Sequence, residues 1–306
     1  MVPMKTLAPS VTTRDPKGLK FISVIEAAYN KADLSEEEAQ HVNDTPGLPE
    51  LVRSFIDEHR LTDQFKDEER ESSYGYLSGY TPKDIIPQTN RLRELFPGIG
   101  FANQDLLTQI EKGEVRLPKH AEGWFAIPNW MKNPQIFGAT YSEVVLTVLE
   151  TIKQARGGKF YNYREGQIDE EHLRQSARMQ EFWKNLSATQ GDPDILIVPA
   201  QFGIRHRGRS VRRAREVFLA GEFGLGAFAI GIMILMHPER LQNEDDLRID
   251  CAGDEFDDPG GVASFCRAPC FGFCVGGVRF GASWCVHAYD YYGSASGFVP
   301  QMTLAA

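Results

Sequence analysis

Long apolar runs are the first thing this 306-residue chain lacks. The longest, from Phe223 to Met236, is too short and too rich in glycine to span a bilayer. The N-terminal stretch as far as Phe21 holds no apolar block of the kind a secretory signal needs. Cysteine is scarce, and five residues gathered at one end do not suit a secreted disulfide framework. A cytoplasmic protein with no membrane partner is therefore the expectation. Positive charge is also in deficit: 33 Lys and Arg face 42 Asp and Glu, so general binding of polyanions is not expected. Motifs of common chemistries are missing as well. There is no Ser/His/Asp set, and Gly221-x2-Gly224-x-Gly226 lacks the Lys-Ser that a phosphate loop requires. The acidic cluster Asp254, Glu255, Asp257, Asp258 does not have EF-hand spacing, and no Glu-Pro-Asn or Gln-Pro-Asp accompanies it, so calcium is disfavoured.

What is present is an ordinary globular composition, 42% hydrophobic and 25% charged, enough for one large or two ordinary domains. Residues 1 to about 20, with Pro3, Pro9 and Pro16, read as an extended arm. Helical spacing follows over Lys20–Lys31, then a capping box at Ser35-Glu36-Glu37-Glu38 and a helix over Glu50–Glu58. Asp63 to Glu71 reads as a solvated charge run, and Tyr74, Tyr76 and Tyr80 as a packed loop. Two more short helices fit Arg91–Phe96 and Asn103–Glu111, making residues 1–115 a helical region. A strand is expected over Glu122–Pro128, and Thr140 to Glu143 caps a helix that carries Val144, Val145, Val148, Leu149 and Ile152. A second helix is expected over Asp169–Leu186, a buried strand over Asp194–Phe202, a buried apolar element over Leu225–Met236, and a short strand at Ile249.

Arginines concentrate between Arg205 and Arg215. One reading makes Arg205, Arg207, Arg209, Arg212 and Arg213 a nucleic-acid contact, since guanidinium forks suit phosphate. The other, which the net charge favours, pairs them with carboxylates such as Asp245, Asp246, Asp254, Glu255, Asp257 and Asp258.

The segment from Phe256 to Pro300 contains no Lys, Glu, Gln, Met, Leu, Ile, Thr or Asn. Within it apolar and miscellaneous residues alternate, as in a strand with one face in a core: Phe265, Phe271, Phe273, Val278 and Phe280 share one set. The intervening set has no common chemistry. An AAC codon with freely replaced adenines encodes Cys, Phe, Tyr, His, Arg, Gly, Val, Ser and Asp, but never Lys, Glu, Gln, Met or Trp. On these grounds, with Phe280-Gly281-Ala282-Ser283-Trp284 standing near a Gly-Gly-Ser-Trp motif and Gly297-Phe298 near a Gly-Phe-Arg motif, the segment resembles the variable region of diversity-generating retroelement variable proteins. The closing Arg of that motif is Val299 here.

The resemblance implies an α+β, C-type-lectin-like fold with short irregular strands and two helices over residues 116–306, related to formylglycine-generating enzymes, with first and last strands paired. It implies a variable segment at about 260–298 that binds an unidentified macromolecule, most simply a protein, without a cofactor. The expected contacts are Cys266, Arg267, Cys270, Gly272, Cys274, Val275, Gly276, Gly277, Arg279, Trp284, Cys285, Val286, His287 and Asp290, each solvent-facing. Phe265, Phe271, Phe273, Val278, Phe280, Tyr291, Tyr292 and Phe298 would support them. Two alternatives stay open. Cys274 and Cys285 could serve a copper- and thiol-dependent oxidase of the formylglycine-generating type, or the cysteines with His287 could hold a structural zinc.

Overall fold

The computed structural model describes residues 14, 16–58, 63–259 and 264–300, so most of the expected N-terminal arm lies outside the described residues. Contacts divide the chain into Met1–Arg60 and Leu61–Ala306. The first unit consists of α1 (Pro16–Lys31), α2 (Glu36–Asn43) and α3 (Leu48–Glu58). The capping box that starts α2 is formed: the Glu38 N–H donates to Ser35 Oγ at 3.3 Å, and the Ser35 N–H to Glu38 Oε2 at 2.9 Å. Neither α1 nor α2 buries a residue.

The second unit opens with α4 (Ile85–Leu95) and α5 (Gln104–Glu111). Leu92, Phe96, Ile99, Leu106 and Leu107 belong to one core with the strands that follow. The compact body therefore begins at Leu61 and not near residue 116, because these helices have no core of their own. Next come β1 (Gly123–Pro128), α6 (Pro134–Phe137), α7 (Tyr141–Ala155), β2 (Phe160–Asn162), β3 (Leu173–Gln175) and α8 (Ala177–Thr189). The expected helix over Asp169–Leu186 is shorter and later than its pattern suggested. The Asp169 carboxylate accepts the N–H groups of Glu171 and His172, which turns the chain into β3 before Ser176 caps α8. The chain continues through β4 (Ile195–Gln201), α9 (Val211–Glu216), β5 (Glu222–Gly224), α10 (Ala227–Met236), β6 (Arg248–Asp250) and β7 (Asp254–Phe256). It closes with β8 (Arg267–Cys274), β9 (Gly277–Trp284), β10 (Tyr292–Ser294) and β11 (Ser296–Phe298).

This is a mixed α+β architecture with two sheets. In the first, of order β1-β4-β11-β5, every residue of β4 is buried. The first and last strands do not pair with each other: β1 and β11 lie antiparallel on opposite edges of β4. The continuous apolar run of β4 explains this, since a strand buried on both faces takes the centre of a sheet and leaves the flanks to shorter partners. The second sheet is built on β8, which pairs with β9 on one edge and with β6 and β7 on the other; β10 extends it beyond β6.

α10 is apolar all round and wholly buried, as its sequence demands. It crosses α7 at Gly231, where a Cβ would come within 2.5 Å of Val148 Cγ1, so glycine sets how closely the two helices approach. Among the described residues no helix is long and apolar enough to cross a membrane.

Candidate functional site

Fourteen candidate contacts were read from the segment that becomes β8, β9 and the loop after them. The two strands form a hairpin in register from Arg267↔Trp284 to Cys274↔Gly277, closed by Val275 and Gly276. Both turn residues have positive φ, 51° and 73°, the geometry of a two-residue turn that matches strand twist. Alternation then sorts the side chains. Phe271, Val278 and Phe280 go into the core, with Phe273 and Ala282 packed against it. The opposite face carries rows that run across the sheet. One is Arg279, Gly272, Arg248 and Tyr292; the next is Gly281, Cys270, Asp250 and Ser294.

The first of these rows explains a glycine. A Cβ on Gly272 would meet Arg248 Cγ and Arg279 Nε, both at 3.1 Å, so the two guanidinium side chains lie over bare backbone. Arg279 Nη2 donates to the Tyr292 hydroxyl at 2.8 Å. Arg248 lies over the Tyr291 ring, 4.7 Å from its centroid. From there ring contacts continue without a break: Tyr291 to Tyr289 at 5.5 Å, Tyr289 to His287 at 5.8 Å, and His287 to Trp284 at 6.3 Å. Arg267 closes the series 4.3 Å over Trp284 and is anchored by Asp258 at 2.8 Å. Residues that lie on four strands (β6, β8, β9 and β10) and a loop are thereby joined into one band of rings and guanidinium groups, most of them half-exposed. Beside it an open cleft of about 730 Å³ is lined by Val286, His287, Ala288, Tyr289 and Asp290 on one side and Asp67, Glu68, Arg70 and Glu71 on the other.

Ten of the fourteen candidates reach solvent at least in part: Cys266, Arg267, Cys274, Val275, Gly276, Arg279, Trp284, Val286, His287 and Asp290. Four do not. Cys270 lies below the row of arginines, 4.0 Å from the Tyr292 hydroxyl, and Gly272 is covered as described. At Gly277 a Cβ would press to 2.8 Å on Tyr161, because β2 runs alongside. Cys285 turns inward to pack with Val211, Ala214, Phe218, Ala252 and Ala268 beneath α9. Of the expected supports, Phe265, Phe273 and Tyr291 are only half-buried.

Among the thiols, Cys266 and Cys285 are neighbours across the open end of the hairpin, where the Cys285 N–H donates to the Cys266 carbonyl at 2.9 Å. All five are free, and among the described residues no three His, Cys, Asp or Glu side chains are placed to hold an ion. Cys270 and Cys274 sit four residues apart on one strand, about 13 Å. Cys274 and Cys285 lie at opposite ends of β9. Burial pushes the thiol of Cys285 up to about 11 and that of Cys270 up to about 12, the reverse of what a reactive thiolate needs. The carboxylates of the acidic cluster are engaged elsewhere. Asp254 accepts the Tyr141 hydroxyl and the Ala227 N–H, Glu255 pairs with Arg174, and Asp258 bridges Arg164 and Arg267.

The arginine patch is paired, but with different partners from those expected. Arg212 binds Glu68, Arg213 binds Asp63, Glu69 and Glu216, Arg209 binds Glu69, and Arg205 binds Glu222. The run from Asp63 to Glu71 is therefore not a free solvated face; much of it is the counter-charge of α9 and the loop before it. Arg207 is directed to the Tyr74 carbonyl at 3.0 Å.

No family model, curated protein or solved structure matches this chain.

Sequence reasoning missed Arg248, Tyr289 and Tyr291 as members of the face. The signal was available in the run Tyr289-Asp290-Tyr291-Tyr292, whose alternate members Tyr289 and Tyr291 are in ring contact at 5.5 Å just before β10 pairs with β6. Arg248 had no such signal, since only its register beside Gly272 brings it there.

Proposed function

We propose that the band from Arg279 to Arg267, with the adjoining cleft, is a surface for binding a macromolecule, most simply a protein. We propose further that it is rewritten in the manner of retroelement variable proteins on a C-type-lectin-like scaffold. The observation that carries this reading is the division of labour along one hairpin. Phe271, Val278 and Phe280 fix the backbone from the core side, while Arg279 projects on the other side, Trp284 reaches solvent at the strand's end, and Val286, His287 and Asp290 lie beyond it. Exposed positions on so fixed a backbone can change at little expense in stability. Rings and guanidinium groups are the side chains that dominate protein-binding surfaces, because they combine large contact area with directional polar ends. Two long helices, α7 and α8, and a central strand flanked by β1 and β11 are what such a scaffold would supply. The codon-restricted composition from Phe256 to Pro300 supports the rewriting.

The deciding experiment is to sequence the DNA on either side of the gene. A near-copy of the codons for residues 264–298, differing only at adenines and lying beside a reverse transcriptase, is the expected result. Adenine-marked codons should fall on the nine solvent-reaching positions other than Trp284, a residue such a codon does not encode, and avoid Phe271, Val278 and Phe280. A flank without any such copy, or differences spread evenly over core and surface codons, overturns the reading.

A further inference from the structure

We infer that the first unit is a self-association module in which α1 and α3 of one chain pack against those of a second copy. The three helices make no extensive contact with one another among the described residues, and α1 and α2 bury nothing. Helices of 8 to 16 residues with so little packing are marginal in water, so their order calls for an apolar partner. The surface for one is present. Leu19, Ile22, Ile25 and Tyr29 recur at three- or four-residue spacing along one side of α1, and Leu51 and Ile56 lie on α3. These side chains are between 38% and 65% exposed.

Two features favour a second copy as the occupant. At about 100 Å² for each half-exposed large side chain, the six present about 600 Å² per copy, or about 1,200 Å² across a pair, which reaches the range of specific interfaces. Charge is also self-complementary. α1 carries Lys17, Lys20 and Lys31 against one Glu26, whereas α2 opens with Glu36, Glu37 and Glu38. A two-fold axis that packs the α1 and α3 faces of the two copies together and brings the α1 lysines beside the partner's α2 joins opposite signs twice, so both the apolar and the ionic parts are satisfied by the same symmetric contact.

The inference is independent of what the band on the second unit binds, and its test uses no ligand. Sedimentation of the full chain over about 1 to 100 µM should give a mass twice that of one chain at the upper end. Ile22→Glu and Leu51→Glu, made separately, should each weaken the association by about 100-fold or more, since each buries a charge in an apolar contact. Both variants should keep the thermal transition of the second unit, whose core is elsewhere, so loss of association cannot be mistaken for unfolding. A wild-type chain that stays monomeric throughout overturns the inference. So does a dimer that both substitutions leave unchanged.

Discussion

Asp250 shows how a single residue links fold and pH. It lies in the sheet row between Cys270 and Ser294, and its Oδ1 and the Ser294 Oγ are both buried without a hydrogen-bond partner. Burial pushes its carboxyl up to about 7 from 3.8, against the pull of Arg215. The folded state therefore holds a proton that the unfolded state has given up, and stability from this group is complete at low pH and falls as pH rises through about 7. Replacing Asp250 with Asn should raise the unfolding free energy by about 2–4 kcal/mol more at pH 8 than at pH 5, read by thermal or urea denaturation at both values. An equal effect at the two pH values would show that the carboxyl stays ionised. The thiols give a second check. Cys266 and Cys274 should react with a thiol reagent in the native protein, while buried Cys251, Cys270 and Cys285 should react only after denaturation. At this scale the sequence was a poor guide to orientation. It identified Cys270 and Cys285 as members of the segment, but whether a thiol faces out depends on what covers the sheet, and α9, which covers Cys285, comes about 70 residues earlier in the chain.

At the scale of elements, local rules carried furthest where they were strongest. The capping boxes at Ser35 and Thr140 formed, the apolar run of Ile195 to Ala200 became a buried strand, and Leu225 to Met236 became a buried helix for all but its first two residues. The rules failed where a tertiary partner decided. β3 is too short to announce itself by periodicity and exists because β7 pairs with it; the pairing of α9 with the Asp63–Glu71 run joins charges about 145 residues apart. The hairpin turn leads to a direct prediction. Val275 is branched at Cβ yet sits at a φ of 51°, a conformation that disfavours it, and its side chain is 75% exposed. Val275→Asn should stabilise the protein by about 0.5–1 kcal/mol, measured by chemical denaturation, because the strain is relieved and no packing is lost. A loss of stability instead would show that the Val275 side chain contributes to folding.

For the whole molecule, the separation of support from display can be tested without knowing the ligand. The combined exchange Val286→Tyr, His287→Asp and Asp290→Arg should shift the unfolding free energy by no more than about 1 kcal/mol, whereas Phe280→Ser alone should destabilise by about 3–5 kcal/mol. A large loss from the triple exchange would show that the loop after β9 is part of the support. Two copies joined through the first unit would present two such faces, and linked faces gain apparent affinity for a repetitive target by about 100-fold or more when the spacing fits. The placement of β11 has a further consequence. Because β4 holds β1 on one edge and β11 on the other, the last three-residue strand completes a sheet whose remaining parts are made much earlier. Until residue 298 has been synthesised, one edge of the most apolar strand stays unpaired and able to recruit other chains. Closure of this sheet therefore waits for residue 298, and chains cut short within the segment from 264 to 295 would meet the chaperones and proteases of the cell in an aggregation-prone form. Versions of the segment that stop early or shift frame would lack β11 and with it the closure of this sheet, so the final strand acts as a check on the integrity of everything encoded before it.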